Sequence, residues 1–213
     1  DVCSSDLVTT DKEGIATLDG IPHGTKVTIT EKSVPAPYTI DTIAMTATIK
    51  AGETIFMTSK NTREKGQIIL DKTGIETGSD LWNDNYSLAG NTFAIRKDSP
   101  TGEIVQEMTT DEKGHAETPK EIANALELGT YYVTETKASN GFVNTFKAVK
   151  VELKYANQTV ALVTSNIKGQ NQEITGETTL IKEDKDTGDK TQGRAVFEGT
   201  EYTLFTAKDG KAV

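Results

Sequence analysis

Apolar and polar residues alternate along most of the chain in short segments that are separated by polar or glycine-containing turns. Alternation with a period of two is typical of β-strands that place one face on a core and the other in water. Within residues 66–170 the strands predicted in this way are 66–72, 91–97, 103–110, 114–118, 130–137, 145–153 and 158–166. Seven short strands in about 100 residues predict an all-β fold of the β-sandwich type.

Two segments between these strands are less regular. Residues 73–90 carry Trp82 and Tyr86, and we expect this segment to fold back over an edge of the sheet. Residues 119–126 begin with a proline, which is accepted at the first position of a helix. This segment therefore predicts either one or two helical turns or a plain loop.

The chain repeats itself with a period of about 100 to 105 residues. Residues 9–16 (TTDKEGIA) recur as residues 109–116 (TTDEKGHA). In both copies a glycine-led strand follows, and it ends in Glu31 in one copy and in Glu135 in the other. Such internal repetition indicates modules of similar fold.

An asparagine ends a later strand of each copy. Asn61 lies 30 residues after Glu31, and Asn166 lies 31 residues after Glu135. The nearly equal spacing assigns the two asparagines to the same place in the repeated unit.

A second pair of matching segments represents a different part of the same unit. Residues 66–72 (GQIILDK) match residues 176–182 (GETTLIK), and each segment has a lysine six residues after its glycine. Residues 90–95 (GNTFAI) match residues 199–204 (GTEYTL). The chain thus contains the beginning of the unit twice and its end twice.

These matches divide the chain into three parts. The first half-module (residues 8–65) is the back half of a unit, the middle module (66–170) is complete, and the third half-module (171–213) is the front half of a further unit. Gly66 and the polar stretch 169–172 mark the joints.

Lysine, glutamate and asparagine residues fall on the apolar faces of the predicted strands, because strand residues of equal parity share a face. The pairs of apolar residues that share their parity are Ile68 and Leu70 for Lys72, Tyr131 and Val133 for Glu135, Val160 and Leu162 for Asn166, Val27 and Ile29 for Glu31, and Ile55 and Met57 for Asn61. A buried ammonium and a buried carboxylate are costly even when they pair, so this recurrence requires a reason.

The charge and hydropathy of the chain exclude several classes of partner. The 32 acidic and 23 basic residues give a net charge of -9, which opposes binding to nucleic acid and to an anionic membrane surface. No apolar run approaches the roughly 20 residues that span a bilayer. Only 35% of the residues are hydrophobic and 6% are aromatic, so any core is divided among small modules.

The sequence predicts neither a cofactor nor a metal site. The single cysteine, Cys3, cannot form an intramolecular disulfide, and the two histidines lie far apart. His115 replaces an isoleucine of the repeat and is interpreted as a strand residue. Asp184, Asp186 and Asp189 lack the regular ligand spacing of a calcium loop and predict a solvated turn.

Residues 1–7 (DVCSSDL) bear no relation to the repeat and resemble the translation of a sequencing adaptor. We interpret them as a scar and leave them out of the fold prediction, the alternative being a frayed terminus. On this interpretation Cys3 does not belong to the biological protein.

In its residues and their order, the chain resembles tandem Cna B-type (SpaA-type) domains of Gram-positive surface adhesins and pilins. The resemblance covers residues 8–213 and includes the repeated TTDxxGxA turn. Its further matched residues are the first-strand lysines, the strand-ending glutamates and the last-strand asparagines: Lys72, Lys182, Glu31, Glu135, Asn61 and Asn166. Residues 137–142 (KASNGF) are similar to the family's proline–glycine–aromatic segment but lack the proline. The resemblance implies tandem immunoglobulin-like or prealbumin-like β-sandwiches, with the two terminal modules incomplete.

In that family a lysine and an asparagine form an intramolecular isopeptide bond with the help of a glutamate. The resemblance thus implies a bond between Lys72 and Asn166, with Glu135 as the catalytic group. Burial lowers the pKa of a lysine and raises that of a glutamate, which leaves a neutral amine and a protonated carboxyl group. The carboxyl group would polarise the amide and transfer protons as ammonia leaves. The alternative is a buried Lys72–Glu135 ion pair beside a hydrogen-bonded asparagine.

The terminal modules have incomplete sets of these residues. Glu31, in its catalytic role, and Asn61 lack a lysine, whose strand is expected upstream of residue 8. Lys182 lacks a glutamate and an asparagine. We therefore expect only the middle module to close a bond within this chain.

The function implied by the resemblance is that of a structural stalk or pilin-like segment of an extracellular, cell-wall-anchored protein. Its partners would be sortase, other pilin subunits and host matrix or glycan, and its chemistry would be self-crosslinking without turnover of a substrate. The alternative function is a ligand-binding module for host matrix protein or glycan. Trp82 and Tyr86 are its aromatic candidates, and Trp82 also fits local packing. A hydrolase is disfavoured because no Ser-His-Asp arrangement is embedded in a glycine elbow.

Overall fold

The computed structural model confirms the predicted all-β fold. It describes residues 6–205, 207–208 and 211–212, so Cys3 and most of the predicted scar lie outside the described residues. Among the described residues there is no helix, and hence none that is long and apolar enough to cross a membrane.

The described strands follow one another in short steps along the chain. In order they are β1 (Lys26–Ile29), β2 (Met45–Thr48), β3 (Lys65–Gly74), β4 (Thr92–Lys97), β5 (Ile104–Thr109), β6 (His115–Glu117), β7 (Leu126–Glu127), β8 (Gly129–Lys137), β9 (Phe142–Val143), β10 (Val149–Leu153), β11 (Leu162–Glu173), β12 (Ala207–Lys208) and β13 (Lys211–Ala212). The chain forms two compact units, Asp1–Ile174 and Thr175–Val213.

Two sheets form the middle module. One has the strand order β10-β8-β4-β5, and the other has the order β6-β3-β11-β9, with β7 also paired to β3. Apolar residues of both sheets form one buried cluster, as in a β-sandwich. The fully buried members of this cluster are Ile68, Leu70, Phe93, Ile95 and Val133.

The first and last strands of the middle module are direct neighbours. Strand β3 pairs with β11 in parallel, from Lys65 opposite Leu162 to Gly74 opposite Asn171. The two strands therefore run side by side over the whole length of β3. This pairing places the residues near the carboxyl ends of both strands together.

Two predicted strands of the middle module differ from the structure. The predicted strand 158–166 is Leu162–Glu173, so it continues past the predicted joint at 170. The predicted strand 145–153 is shorter and comprises Val149–Leu153. Of the two alternatives predicted for residues 119–126, the loop is the one observed: residues 119–125 form turns and loop that lead into β7.

The repeated TTDxxG motif folds in the same way in both copies. In each, one aspartate oxygen accepts hydrogen bonds from the backbone N–H groups two and four residues further on, at 2.9–3.0 Å; the aspartates are Asp11 and Asp111. Gly14 and Gly114 have φ angles of 78° and 77°, which favour glycine. The sequence repeat is thus also a structural repeat.

The first half-module consists of an antiparallel pair, β1 and β2, with irregular segments around it. Hydrogen bonds tie it to the middle module near Leu162. The backbone N–H of Ile40 donates to the Gln158 carbonyl at 2.8 Å, and that of Val34 donates to the Gln158 side chain at 3.1 Å.

Candidate functional site

Lys72 lies on the core face of β3 and is almost fully buried, with 1% of its surface exposed. Its inward direction follows from the alternation of β3, which also buries Ile68 and Leu70. Among the residues that the structure describes, the Nζ atom has no hydrogen-bond partner, and it lies 6.0 Å from the centre of the Phe146 ring. Burial lowers the pKa of Lys72 to about 8, against the opposing effect of the Glu135 and Glu173 carboxylates.

Glu135 lies on β8 of the opposite sheet, where it pairs with Phe93 of β4. Its side chain points towards the core between the sheets. Burial raises the pKa of Glu135, although the hydrogen bond from Asn171 and the charge of Lys72 act in the other direction. The Lys72 amine and the Glu135 carboxyl group thus both have pKa shifts that favour their neutral forms.

The buried amide beside this carboxyl group is that of Asn171, which is 1% exposed. Its Nδ2 donates to both carboxylate oxygens of Glu135, at 2.8 and 2.9 Å. Its Oδ1 accepts a hydrogen bond from the backbone N–H of Thr145 at 3.1 Å. Both ends of the amide are therefore held in place.

The pairing of β3 with β11 places Asn171 close to Lys72 on the same face. Lys72 lies opposite Gly169, and Asn171 is two residues further along β11. Residues two apart share a face, so Lys72 and Asn171 are diagonal neighbours. A side chain on Gly169 would overlap the Phe146 ring and would also contact Lys72. The glycine leaves the space that the lysine and the ring occupy.

The prediction that Asn166 faces Lys72 is wrong. Asn166 is exposed and lies opposite Ile69, three residues before the partner of Lys72. The core face of β11 carries Val163 and Ile167, which have the other parity. Asn166 therefore points away from the core.

A different spacing identifies the buried asparagine. Asn61 is the fifth residue before Gly66, and Asn171 is the fifth residue before Gly176. The distance to the glycine that starts the next unit is thus constant. The distance back to the glutamate is not constant. Asn61 lies 30 residues after Glu31, whereas Asn171 lies 36 residues after Glu135.

Sequence reasoning also missed a second buried carboxylate, that of Glu173, which is 2% exposed. It accepts hydrogen bonds from the backbone N–H groups of Thr77 at 2.8 Å and Glu76 at 3.1 Å, and from the Thr77 hydroxyl at 2.8 Å. Burial acts to raise the pKa of Glu173, but these hydrogen bonds outweigh it and the pKa is lowered. Glu173 therefore fastens the loop after β3 to the end of β11. In the sequence, Glu173 lies two residues after Asn171 and therefore on the same inward face of the strand, and this spacing is what identifies it.

The structure brings Glu31 and Asn61 of the first half-module together. The Nδ2 of Asn61 donates to Oε2 of Glu31 at 2.6 Å and to the Thr39 carbonyl at 3.1 Å. The same glutamate oxygen accepts from the backbone N–H of Asp41 at 2.6 Å. This glutamate–asparagine pair matches that of Glu135 and Asn171, but both of its residues are only half-buried.

Lys182 belongs to the second compact unit and is exposed. Its Nζ donates to the Glu183 carbonyl at 2.8 Å and lies 5.7 Å from the centre of the Phe197 ring.

The comparison with protein families agrees with this architecture. The SpaA family, described as a prealbumin-like fold domain, matches residues 2–63 and 66–168. The chain belongs to the SpaA family. The two matches correspond to the first half-module and the middle module, and the second match ends at residue 168, just before Asn171.

Solved structures similar to this SpaA-family chain include proteins of Bacillus and Streptococcus species. The TIE protein of Bacillus anthracis is 28% identical with a TM-score of 0.56, over 77% of this chain and 28% of that protein. A variant of BcpA, the major pilin subunit of Bacillus cereus, is 27% identical with a TM-score of 0.33, over 50% of this chain and 29% of the pilin. GBS52, the minor pilin of Streptococcus agalactiae, is 16% identical with a TM-score of 0.38, over 82% and 71%. No curated protein matches the chain.

The chain thus spans less than a third of the length of TIE.

Trp82 and Tyr86, the aromatic residues considered for ligand binding, take part in local packing. Their rings meet edge to face with centres 5.3 Å apart, and Tyr86 meets Phe142 in the same way at 5.8 Å. The Tyr86 hydroxyl donates to the Ile174 carbonyl at 2.6 Å. The aromatic cluster fastens the loop after β3 to the end of the module.

The residues considered as metal ligands make hydrogen bonds within the protein. His115 lies in β6 with its Nδ1 2.9 Å from the Asp71 carboxylate. Asp184 accepts from the backbone N–H groups of Asp186 at 2.9 Å and Thr187 at 3.1 Å, which is the hydrogen bonding of a turn. Over residues 6–205, 207–208 and 211–212, no three histidine, cysteine or acidic residues are grouped as metal ligands would be.

Proposed function

We propose that the middle module is a load-bearing structural module, closed by an isopeptide bond between Nζ of Lys72 and Cγ of Asn171. The observation that carries this proposal is the buried Lys72 amine, which has no hydrogen-bond partner in the described part of the chain. It lies beside a glutamate whose two carboxylate oxygens both accept from the asparagine amide. Asn171 takes the place that the sequence assigned to Asn166.

The geometry supports each step of this reaction. The low pKa of Lys72 favours the neutral amine, which attacks Cγ of Asn171. The Thr145 N–H donates to the amide oxygen, where negative charge develops during the attack. Glu135, whose raised pKa favours the protonated form, gives its proton to the departing nitrogen that it already contacts and takes a proton from the lysine nitrogen in return. One C–N bond forms, one breaks, and ammonia is released.

The alternative of a simple Lys72–Glu135 ion pair agrees less well with the contacts. An ion pair would place the ammonium within hydrogen-bond distance of the Glu135 carboxylate, but Nζ makes no hydrogen bond to Glu135 or to any other described residue. Both carboxylate oxygens are instead directed at Asn171. An amide bond would remove the cost of burying the two charges.

The position of the bond supports a mechanical role. Tension that enters at Lys65 and leaves at Glu173 pulls on the opposite ends of two parallel neighbouring strands. A bond between Lys72 and Asn171 would carry this tension directly from β3 to β11. Residues 73–170 would then lie outside the path of the force.

Membership of the SpaA family and the two successive modules support the role of a stalk or pilin-like segment in an extracellular, cell-wall-anchored protein. In that role the chain is not an enzyme with a turnover, since each module would react once. Its proposed partners are sortase, other pilin subunits and a host matrix protein or glycan.

Force spectroscopy of the full chain tests the mechanical role. We expect the Asn171→Ala variant to release the segment 73–170 when the middle module unfolds, which adds roughly 320–350 Å of contour length at about 3.3–3.6 Å per residue. The parent should not release this length. Asn166→Ala is the matched control and should behave as the parent. Equal length gains in the parent and in Asn171→Ala would contradict the proposal.

A further inference from the structure

The buried amide of Asn171 faces an irregular segment of the chain, residues 144–148, which connects β9 to β10. This segment belongs to no strand, so the hydrogen bonds of a sheet do not fix its backbone. The backbone N–H of Thr145 nevertheless donates to Oδ1 of Asn171 at 3.1 Å. A contact other than strand pairing must therefore direct this N–H group.

The side chain of Thr145 makes that contact. Its Oγ1 accepts a hydrogen bond from the backbone N–H of Gln172, the next residue of β11, at 3.0 Å. Thr145 is thus bonded to two successive residues of β11, through its N–H to the side chain of Asn171 and through its hydroxyl to the backbone of Gln172. The two hydrogen bonds together fix the distance and the direction of the Thr145 N–H relative to the amide.

The neighbours of Thr145 fasten the same segment to the opposite sheet. The Nδ2 of Asn144 donates to the backbone carbonyl of Glu135 at 3.1 Å. The Phe146 ring meets the Phe93 ring edge to face, with centres 5.2 Å apart. The segment therefore bridges the strand that carries the glutamate and the strand that carries the asparagine.

The amide oxygen of Asn171 depends on Thr145 during the proposed reaction. Negative charge develops on this oxygen as the amine adds to Cγ, and a backbone N–H that is already in place stabilises such charge. Both carboxylate oxygens of Glu135 accept from the amide nitrogen, so the glutamate is engaged at the other end of the amide. Loss of one donor of this kind typically slows an acyl transfer by about 10²–10³-fold.

We propose that the Thr145 hydroxyl is a positioning group for bond formation. By accepting from the Gln172 N–H, it keeps the Thr145 N–H directed at Oδ1 of Asn171 while charge develops there. The hydroxyl takes part in no covalent step, and the bonds that form and break are those of the proposed function. The inference rests on that chemistry between Lys72 and Asn171 and adds a further residue to it.

The rate at which the newly made full chain closes its bond tests this role. Chains are synthesised in a short labelling pulse and denatured at successive times, and denaturing gels separate closed from open chains. Thr145→Val removes the hydroxyl but keeps the branched shape, and it should close about tenfold more slowly, which corresponds to the loss of one ordinary hydrogen bond. Thr145→Ser retains the hydroxyl and should close at the rate of the parent.

Thr159→Val is the matched control. Thr159 is also an exposed threonine in a loop, between β10 and β11, and its hydroxyl donates to the Asn157 side chain at 2.6 Å. It lies outside the segment 144–148, so this variant should close as fast as the parent.

Brief proteolysis of the same samples separates positioning from a role in folding. With Thr145→Val we expect chains that resist the protease, and are therefore folded, before their bond has closed. Open chains that are digested would show that folding is slow and would overturn the positioning role. It would also be overturned if Thr145→Val closed as fast as the parent, or if Thr145→Ser were as slow as Thr145→Val.

The mass of the parent separates this inference from the proposed function. A parent that loses one ammonia, with Thr145→Val closing at the same rate, would overturn the role of the hydroxyl alone. A parent that never loses ammonia would overturn the proposed bond itself, and the positioning role with it.

Discussion

The side-chain nitrogen of Asn171 lies 2.8 and 2.9 Å from the two carboxylate oxygens of Glu135, in the buried space between the two sheets of the middle module. In the proposed reaction this nitrogen is the leaving group. Its contact with the carboxyl group therefore matters more than a contact with the lysine would, because an amide nitrogen leaves only after it is protonated. The testable consequences concern this group, the amine next to it and the packing that holds them.

Glu135→Gln should prevent the bond and leave the fold intact, because glutamine has the same size but cannot transfer the proton. A bond from Lys72 to Asn171 closes a loop of roughly 100 residues, for which the chain-entropy model gives about 4–5 kcal/mol of stabilisation. At about 4–8 °C per kcal/mol the variant should melt roughly 16–40 °C below the parent. Calorimetry, with mass spectrometry of the same samples, checks this result. Equal melting of bonded and unbonded forms would show that the bond does not stabilise the module.

The pH dependence of stability should differ between the parent and Asn171→Ala. In the variant Lys72 remains an amine, with a pKa of about 8 in the folded chain and the ordinary lysine pKa of 10.5 in the unfolded chain. The unfolded chain then binds more protons between these values, so stability rises with pH from about 8 to 10.5, by roughly 3 kcal/mol in total. In the parent the nitrogen is an amide and does not titrate. Urea unfolding at pH 7, 8, 9 and 10 measures the difference. A parent and a variant with the same slope would contradict the assignment of Lys72.

Gly169→Ala should destabilise the module by about 1–3 kcal/mol, because the added methyl group overlaps the Phe146 ring and presses on Lys72. Gly176→Ala is the matched control, since nothing lies within 4 Å of its added methyl group. Chemical denaturation compares the two variants with the parent. If both variants lose the same free energy of unfolding, the close packing of Lys72 against Gly169 does not explain why this position is a glycine.

Glu173→Gln should lower the stability by about 1–3 kcal/mol, because a buried carboxylate that accepts from Thr77 and Glu76 is replaced by a weaker acceptor. The ammonia should still be lost, since Glu173 contacts the loop after β3 and not Asn171. Mass and melting measurements on one sample separate the two effects. A variant that folds but shows no loss of ammonia in its mass would show that Glu173 takes part in the reaction.

Much of the site follows from sequence alone. The parity of Lys72 with Ile68 and Leu70 predicts its inward direction, and the parity of Glu135 with Val133 does the same on β8. Such predictions succeed because a strand in a sandwich has only two faces, and an apolar neighbour two residues away identifies the inner one.

The asparagine could not be placed in this way, because two asparagines of opposite parity lie in β11. Equal spacing from the glutamate favoured Asn166, but the middle module has a longer connection between Glu135 and β11 than the first half-module has between Glu31 and Asn61. Insertions in loops shift spacing without changing the fold. The parallel pairing with β3, which continues to Gly74, extends the strand to Asn171 and is visible only in the structure.

Intact-mass measurement of three denatured chains tests most directly whether Lys72 is bonded to Asn171. The parent and Asn166→Ala should each be lighter than their sequences by one ammonia, and fragmentation should place the link between Lys72 and Asn171. Asn171→Ala should have the full mass of its sequence. A parent with its full mass, or an Asn171→Ala chain that still loses ammonia, would contradict the account.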